Sequence, residues 1–191
     1  MDQHLEQIIK NRRTVKPTGM NGKKIPDDII RQLLSLADWA PTHGYTEPWY
    51  FVVYSGDAVK QFCADHATLY KNNTPAAQFI PGNYEKLQHQ GDLASHIIAI
   101  CLKRGDNPKI PEIEEIAAVS CAVQNMWLGA TALGLAAYWG SGGMTYTPAM
   151  QDYLGLRDQD KVLGFFYLGY ADGGIPEGRR IKPLTEKIKW I

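Results

Sequence analysis

The sequence lacks the residues for disulfide frameworks, thiolate metal sites and a polyanion-binding surface. It has only three cysteines among 191 residues, Cys63, Cys101 and Cys121, which cannot all pair with one another. None lies in a CxxC motif and no His/Cys cluster has zinc spacing, so no metal is expected and a reduced, cytoplasmic setting fits. It has no net charge: twenty basic and twenty acidic residues cancel, which argues against a nucleic-acid partner. No strand–GxGxxG–helix unit occurs, which argues against a Rossmann dinucleotide domain. No internal repeat, low-complexity tract or linker divides it, so residues 1–191 read as one domain. Its first residues show no cationic stretch leading into an apolar one, so no signal peptide is expected.

Charge is also missing locally. The 24 residues from Ile116 to Trp139 carry none, the length of a membrane span. Their composition argues otherwise. Seven are alanine, Ser120, Gln124, Asn125 and Thr131 are polar, and Gly129 and Gly134 interrupt the run. Pro111, Glu112, Glu114 and Glu115 suit a helix N-terminus, so a helix from Glu112 to about Leu133 is expected, roughly 33 Å long. A helix apolar on nearly every side belongs in a core or between subunits, and no membrane association is expected. With its length, this suggests a central helix shared across a dimer.

Elsewhere helices and strands alternate. Leu5, Ile8 and Ile9 mark a first helix, and Pro26-Asp27-Asp28 opens a second that Pro41 stops. Strands are expected at Trp49–Tyr54, His96–Leu102, Ala136–Trp139 and Val162–Tyr170. A third helix starts at Gly56-Asp57, and a short one covers Pro148–Leu154. Asn72–Asp92, rich in Asn, Gln, Gly and Pro, reads as a mobile excursion or lid, and the chain from Ala171 as a loop-like tail. This is α/β or α+β layering.

Four clusters could bind a ligand, and each has a plainer reading. Arg12, Arg13, Thr14 and Lys16 close the first helix. Their guanidinium forks and ammonium suit a phosphate, or simply complement the helix dipole. Trp39, Pro41, Thr42 and His43, with Pro48 and Trp49, could frame a flat aromatic ligand, or be a helix stop and strand start. Trp139 leads into Gly140, Ser141, Gly142 and Gly143, where the backbone can approach a planar ligand or merely turn. Arg179, Arg180 and Lys182 either fold back toward Arg12 or are a solvated tail. No Ser/His/Asp or Cys/His catalytic set can be assembled, so no catalytic side chain is named.

The order of these segments is what carries weight. A basic cluster near residue 12, then APTH…PW at 40–49, the charge-poor helix, W-G-S-G-G, the strand VLGFFYLGY and Lys182-Pro183-Leu184 together resemble the FMN-dependent nitroreductase family, its small single-domain branch above all. The resemblance implies an α+β fold with a mostly antiparallel central sheet flanked by helices, and a homodimer whose long central helix lies at the interface. It implies FMN held by Arg12, Arg13 and Thr14, with Trp39 and His43 approaching from the partner. Trp139, Gly140 and Ser141 would line the flavin, and Arg180 would stand near the phosphate. It also implies ping-pong chemistry at one pocket, with NAD(P)H as donor and a nitroaromatic, quinone or similar small molecule as acceptor. Gly140 departs from the family, which usually has a cation there. Two alternatives stay open: a flavin-binding protein without turnover, and a dehalogenase or flavin-fragmenting enzyme of the same fold.

Overall fold

The structure, a computed structural model, describes residues 2–173 and 176–191. Its centre is a sheet of β1 (Trp49–Ser55), β2 (His96–Leu102), β3 (Ala136–Gly140) and β4 (Lys161–Gly169), in the order β1-β2-β4-β3. All three pairings are antiparallel. The helices are α1 (Gln3–Asn11), α2 (Asp27–Ala37), α3 (Asp57–Asn73), α4 (Pro81–His89), α5 (Glu112–Ala132) and α6 (Pro148–Tyr153). This is the expected α+β arrangement.

Strand alternation builds two cores. Ile98, Ile100, Leu102, Ala137, Phe166 and Leu168 face α2 and α5. Ile97, Ala99, Cys101, Ala136, Phe165 and Tyr167 face the opposite way, where Val59, Phe62 and Cys63 of α3 and Met150 of α6 cover them. Strand β2 lies inside the sheet and is covered on both faces, so all seven of its residues are buried. That explains its unbroken apolar run. Each large side chain taken from water here contributes about 1.5–3 kcal/mol. Burial also pushes the thiols of Cys63 and Cys101 up to about 11 and about 12, so both are inert apolar filler.

Edge strand β3 is not left bare. The chain leaving α1 runs beside it, and the Val15 amide donates to the Ala137 carbonyl at 2.9 Å. Its unsatisfied backbone groups are thereby partly covered. No helix is long and apolar enough to cross a membrane, among the described residues.

The structure corrects two expectations. Asn72–Asp92 is not a loop excursion: α3 extends to Asn73, and α4 packs against it with Leu87 buried. Only that one side chain of α4 is buried, so the segment carries no apolar period. Helix α5 is covered more fully within one protomer than its length suggested. Val119, Ala122, Val123, Met126 and Ala130 are all buried in the core against α2 and the sheet, whereas Ile113 and Leu133 at its ends stay exposed.

Polar groups fix the loops around these cores. Asp160, almost fully buried, accepts from the Arg104 amide and from the amide, Nε and Nη2 of Arg157 at 2.9–3.0 Å. Burial alone would raise its pKa, but the Arg157 and Arg104 hydrogen bonds outweigh that and hold it below the usual carboxylate value. Beside it, Arg104 Nη1 lies 2.6 Å from the buried Glu115 carboxylate, close as an ion pair but not aligned as a hydrogen bond. His96 is buried between Ser95 Oγ at 2.9 Å and Asp27 at 3.2 Å, while Ser95 Oγ accepts the Ile25 amide. Ser95 is fully buried, so this row ties the start of β2 to α2 and offers no accessible nucleophile. Burial lowers the pKa of His96, with Asp27 opposing. On α3, His66 is buried between Phe62 and Phe165 and accepts the Met144 amide at 2.9 Å. Burial lowers its pKa to about 4.

Two acid-sensitive contributions follow, with distinct windows. From pH about 6.5 down to about 4 the unfolded chain takes up a proton at His66 that the folded one refuses. Stability should fall through that window by roughly 3 kcal/mol, and His66→Gln should flatten this part of a denaturant-midpoint-versus-pH curve. Asp160 acts lower: its contribution is present above 3.8 and is lost as pH falls through its lowered pKa. Asp160→Ala, which strands the Arg104 amide and the Arg157 side chain, should cost about 3 kcal/mol near neutral pH, read by chemical unfolding.

Candidate functional site

Helix α1 ends at Asn11 because Arg12 turns to extended backbone, its amide still bonding the Ile8 carbonyl at 3.0 Å. The two arginines then diverge. The Arg12 guanidinium lies over the Trp127 ring of α5, 4.3 Å from the centroid. The Trp127 indole N–H meanwhile donates to the Arg13 carbonyl at 3.2 Å. Arg13 Nη1 holds the carbonyls of Lys10 and Arg12, and its Nε reaches the Pro176 carbonyl at 2.8 Å. Gly178 presses so closely on the Arg13 guanidinium that a β-carbon there would overlap it. The tail at Pro176 and Gly178 therefore folds back over Arg13. Burial lowers the pKa of Arg12, and the nearby charges of Arg13 and Arg180 lower it further. No carboxylate lies within ion-pair distance of any of the three, among the described residues. Arg12 and Arg13, with Arg180 near enough for its charge to act on Arg12, have no carboxylate partner, an arrangement that favours an anion.

A cavity of about 310 Å³ opens beside them, lined among others by Arg13, Thr14, Lys16, Thr131, Ala136 and Pro176. That is within the size of small-molecule sites. Thr14 and Lys16 are exposed and free to point into it. Arg12, stacked on Trp127, does not itself line it.

The second cluster lies elsewhere. Trp39, Pro41 and Thr42 line a cavity of about 420 Å³ with Asp38, Tyr45 and Trp49. Trp49 is anchored by its indole N–H to Asp38 at 3.0 Å, whereas Trp39 and Tyr45 are almost wholly exposed. The loop is strained: Tyr45 and Glu47 have φ of 54° and 42°. Such backbone costs on the order of 1–3 kcal/mol each and concentrates at functional sites. His43 pairs with Glu114 and, with Pro41 and Thr42, borders an open groove against α5.

The third cluster is at the far end of β3 from the arginine cavity. The Trp139 indole N–H donates to the Leu163 carbonyl at 3.1 Å, and the ring packs on the α5 side of the sheet. Gly140 is buried, while Ser141 and Gly142 are exposed and line none of the three cavities. One protomer thus brings together Arg12, Arg13, Thr14, Lys16 and Arg180. It does not bring Trp39, Pro41, Thr42 or His43 to them. Along α5 the His43 groove and the arginine cluster are separated by on the order of 15 Å.

Some residues of this region carried no sequence signal. Pro176 and Gly178 work through backbone, which composition does not reveal. His66, which holds the turn after Gly140, did have one: it continues the buried period Val59, Phe62, Cys63, His66, Ala67.

Comparison with known proteins identifies the family. The family model described as the nitroreductase family matches residues 9–170. The chain is 30% identical to YdjA of Escherichia coli strain K12, which carries an NAD(P)H nitroreductase name, over 85% of this chain and 86% of that one. The solved nitroreductase-like family protein of Bacillus cereus superposes with a TM-score of 0.84 at 28% identity, covering 98% of this chain and 95% of that one. The FMN-dependent nitroreductase NfnB of Mycobacterium smegmatis, solved with NADPH, shares the fold at a TM-score of 0.74 and 22% identity, over 99% of this chain and 98% of that one. With its strand order, its basic cluster and these matches taken together, this chain belongs to the nitroreductase family.

Proposed function

We propose that this protein is an FMN-dependent NAD(P)H oxidoreductase of nitroreductase type. The observation that carries the reading is the uncompensated cluster of Arg12, Arg13 and Arg180 beside a cavity of about 310 Å³. A flavin phosphate fits it: the cluster lacks an anion, and Thr14 and Lys16 add a hydroxyl and an ammonium at the same mouth. FMN, when bound, supplies reversible hydride uptake between NAD(P)H and a small acceptor such as a nitroaromatic or quinone. The chain's own residues supply position and electrostatics. Arg12 is preoriented by Trp127 and Arg13 by three carbonyls, so little side-chain freedom is lost on binding. Trp139, Gly140, Ser141 and Gly142 would flank the flavin ring.

The reading includes a homodimer. Trp39, Pro41, Thr42 and His43 are too far along α5 to join the arginine cavity of their own protomer, so they would reach the flavin of the partner. The surface left uncovered supports this: Ile9, Ile113 and Leu133, and in the tail Ile181, Leu184, Ile188 and Trp190, are all exposed. A second copy is the occupant that would cover them. Soluble cytoplasmic residence belongs to the same proposal.

Three outcomes test it. Purified protein should take up FMN and oxidise NAD(P)H only when loaded; a protein that binds no added FMN contradicts the reading. Arg12→Ala and Arg13→Ala should each weaken FMN by about 1.5–3 kcal/mol, the size of a charge-assisted contact, in a fluorescence titration. Light scattering should give a dimer, and removing residues 181–191 should lower dimer content and FMN occupancy together, since a ligand stabilises the state that binds it. A wild-type monomer with full FMN content would refute the shared site.

A further inference from the structure

The turn after β3 presents a run of backbone donors to solvent. The amides of Ser141, Gly142 and Gly143 find no acceptor within the protein, among the described residues. The turn's other polar groups are pinned. The Gly142 carbonyl accepts the Thr145 hydroxyl at 2.7 Å, and the Met144 amide donates to His66 Nε2 at 2.9 Å. Both anchors are buried, Thr145 fully and His66 nearly so. His66 has no role in the site as drawn so far. It sits in an aromatic slot, its ring 5.7 Å from Phe62 and 5.3 Å from Phe165. Gly143 closes against it at φ +65°, where a β-carbon would stand 2.5 Å from Nε2. A run of free amides held by a rigid clamp is a preorganised donor set for a ligand carbonyl or anion.

We propose that His66 is a positioning residue for the flavin, acting through its Nε2 acceptor to hold the 141–143 amides toward the cofactor. The proposal rests on the FMN reading and on the turn lining the flavin. It requires the neutral ring with its proton on Nδ1, since only then can Nε2 accept. That state is the one the apolar slot enforces at neutral pH. An unclamped turn would have to be ordered by the ligand itself, at the ligand's expense in affinity.

The test compares His66→Leu, which fills the slot without an acceptor, with His66→Gln, whose amide oxygen can stand near the Nε2 position. In His66→Leu, FMN should bind at least about tenfold more weakly, the worth of a lost ordering contact of about 1.4 kcal/mol. The visible flavin band should shift, and the Met144 amide should exchange faster in the FMN-free protein. His66→Gln should restore affinity to within about threefold of wild type. Equal FMN affinity and spectrum in wild type and His66→Leu, with faster Met144 exchange, overturns the proposal and leaves a purely structural histidine. Failure of both variants alike, with neither restoring affinity, also overturns it. If His66→Leu does not fold, His66→Phe keeps a ring in the aromatic slot but lacks the Nε2 acceptor. Loss of FMN affinity with α3 amide protection unchanged supports the proposal, and undiminished affinity overturns it. The underlying reading fails separately: a wild type that takes up no FMN sinks both, whereas loss of FMN in Arg12→Ala but not in His66→Leu sinks only the role of His66.

Discussion

Much of this site hangs on how the chain leaving α1 is strapped to α5 and β3. Trp127 does two jobs at once. Its ring carries the Arg12 guanidinium and its indole N–H holds the Arg13 carbonyl. One residue further on, the Val15 amide docks on the β3 edge. These contacts place like charges side by side, which costs free energy unless an anion arrives. The Arg13 side chain is meanwhile consumed by carbonyls of its own helix and of the tail, so it cannot swing away. The tension is local and stored, and the rest of the fold sustains it. Trp127 is held by Phe166 edge-on at 5.3 Å, and β4 by its neighbours β2 and β3.

The same economy recurs around the sheet. Short polar clamps, each buried at one end, fix loops whose other groups remain free. Asp160 gathers the 104 and 157 segments, Ser95 and His96 tie β2 to α2, and His66 holds the turn after β3. A buried acceptor of this kind is satisfied in one geometry only, so it specifies as well as stabilises. That division suits a protein whose chemistry comes from a cofactor: the chain need only hold donors and walls in place.

Much of this was legible in the sequence. WYFVVY and HIIAICL declared β1 and β2, and Pro111 with three glutamates declared the start of α5. The Arg12–Lys16 cluster was readable because three cations and a hydroxyl converge where a helix ends. What failed to show had physical causes. Helix α4 buries only Leu87, so no period marks it. Met126 lies on a helix apolar on nearly every side, and such a pattern does not say which face meets the core and which a partner. The roles of Pro176 and Gly178 pass through backbone and close approach, and Arg104, Glu115 and Asp160 are joined only by the fold.

The central claim is that the Arg12–Arg13–Arg180 cluster exists to hold a phosphate. Comparing FMN with riboflavin, which differs by that group alone, tests it most directly. FMN should bind about 100-fold more tightly, an advantage of roughly 3 kcal/mol from two or more charge-assisted contacts, shrinking as salt rises. Equal affinity for the two flavins, insensitive to salt, would contradict the account.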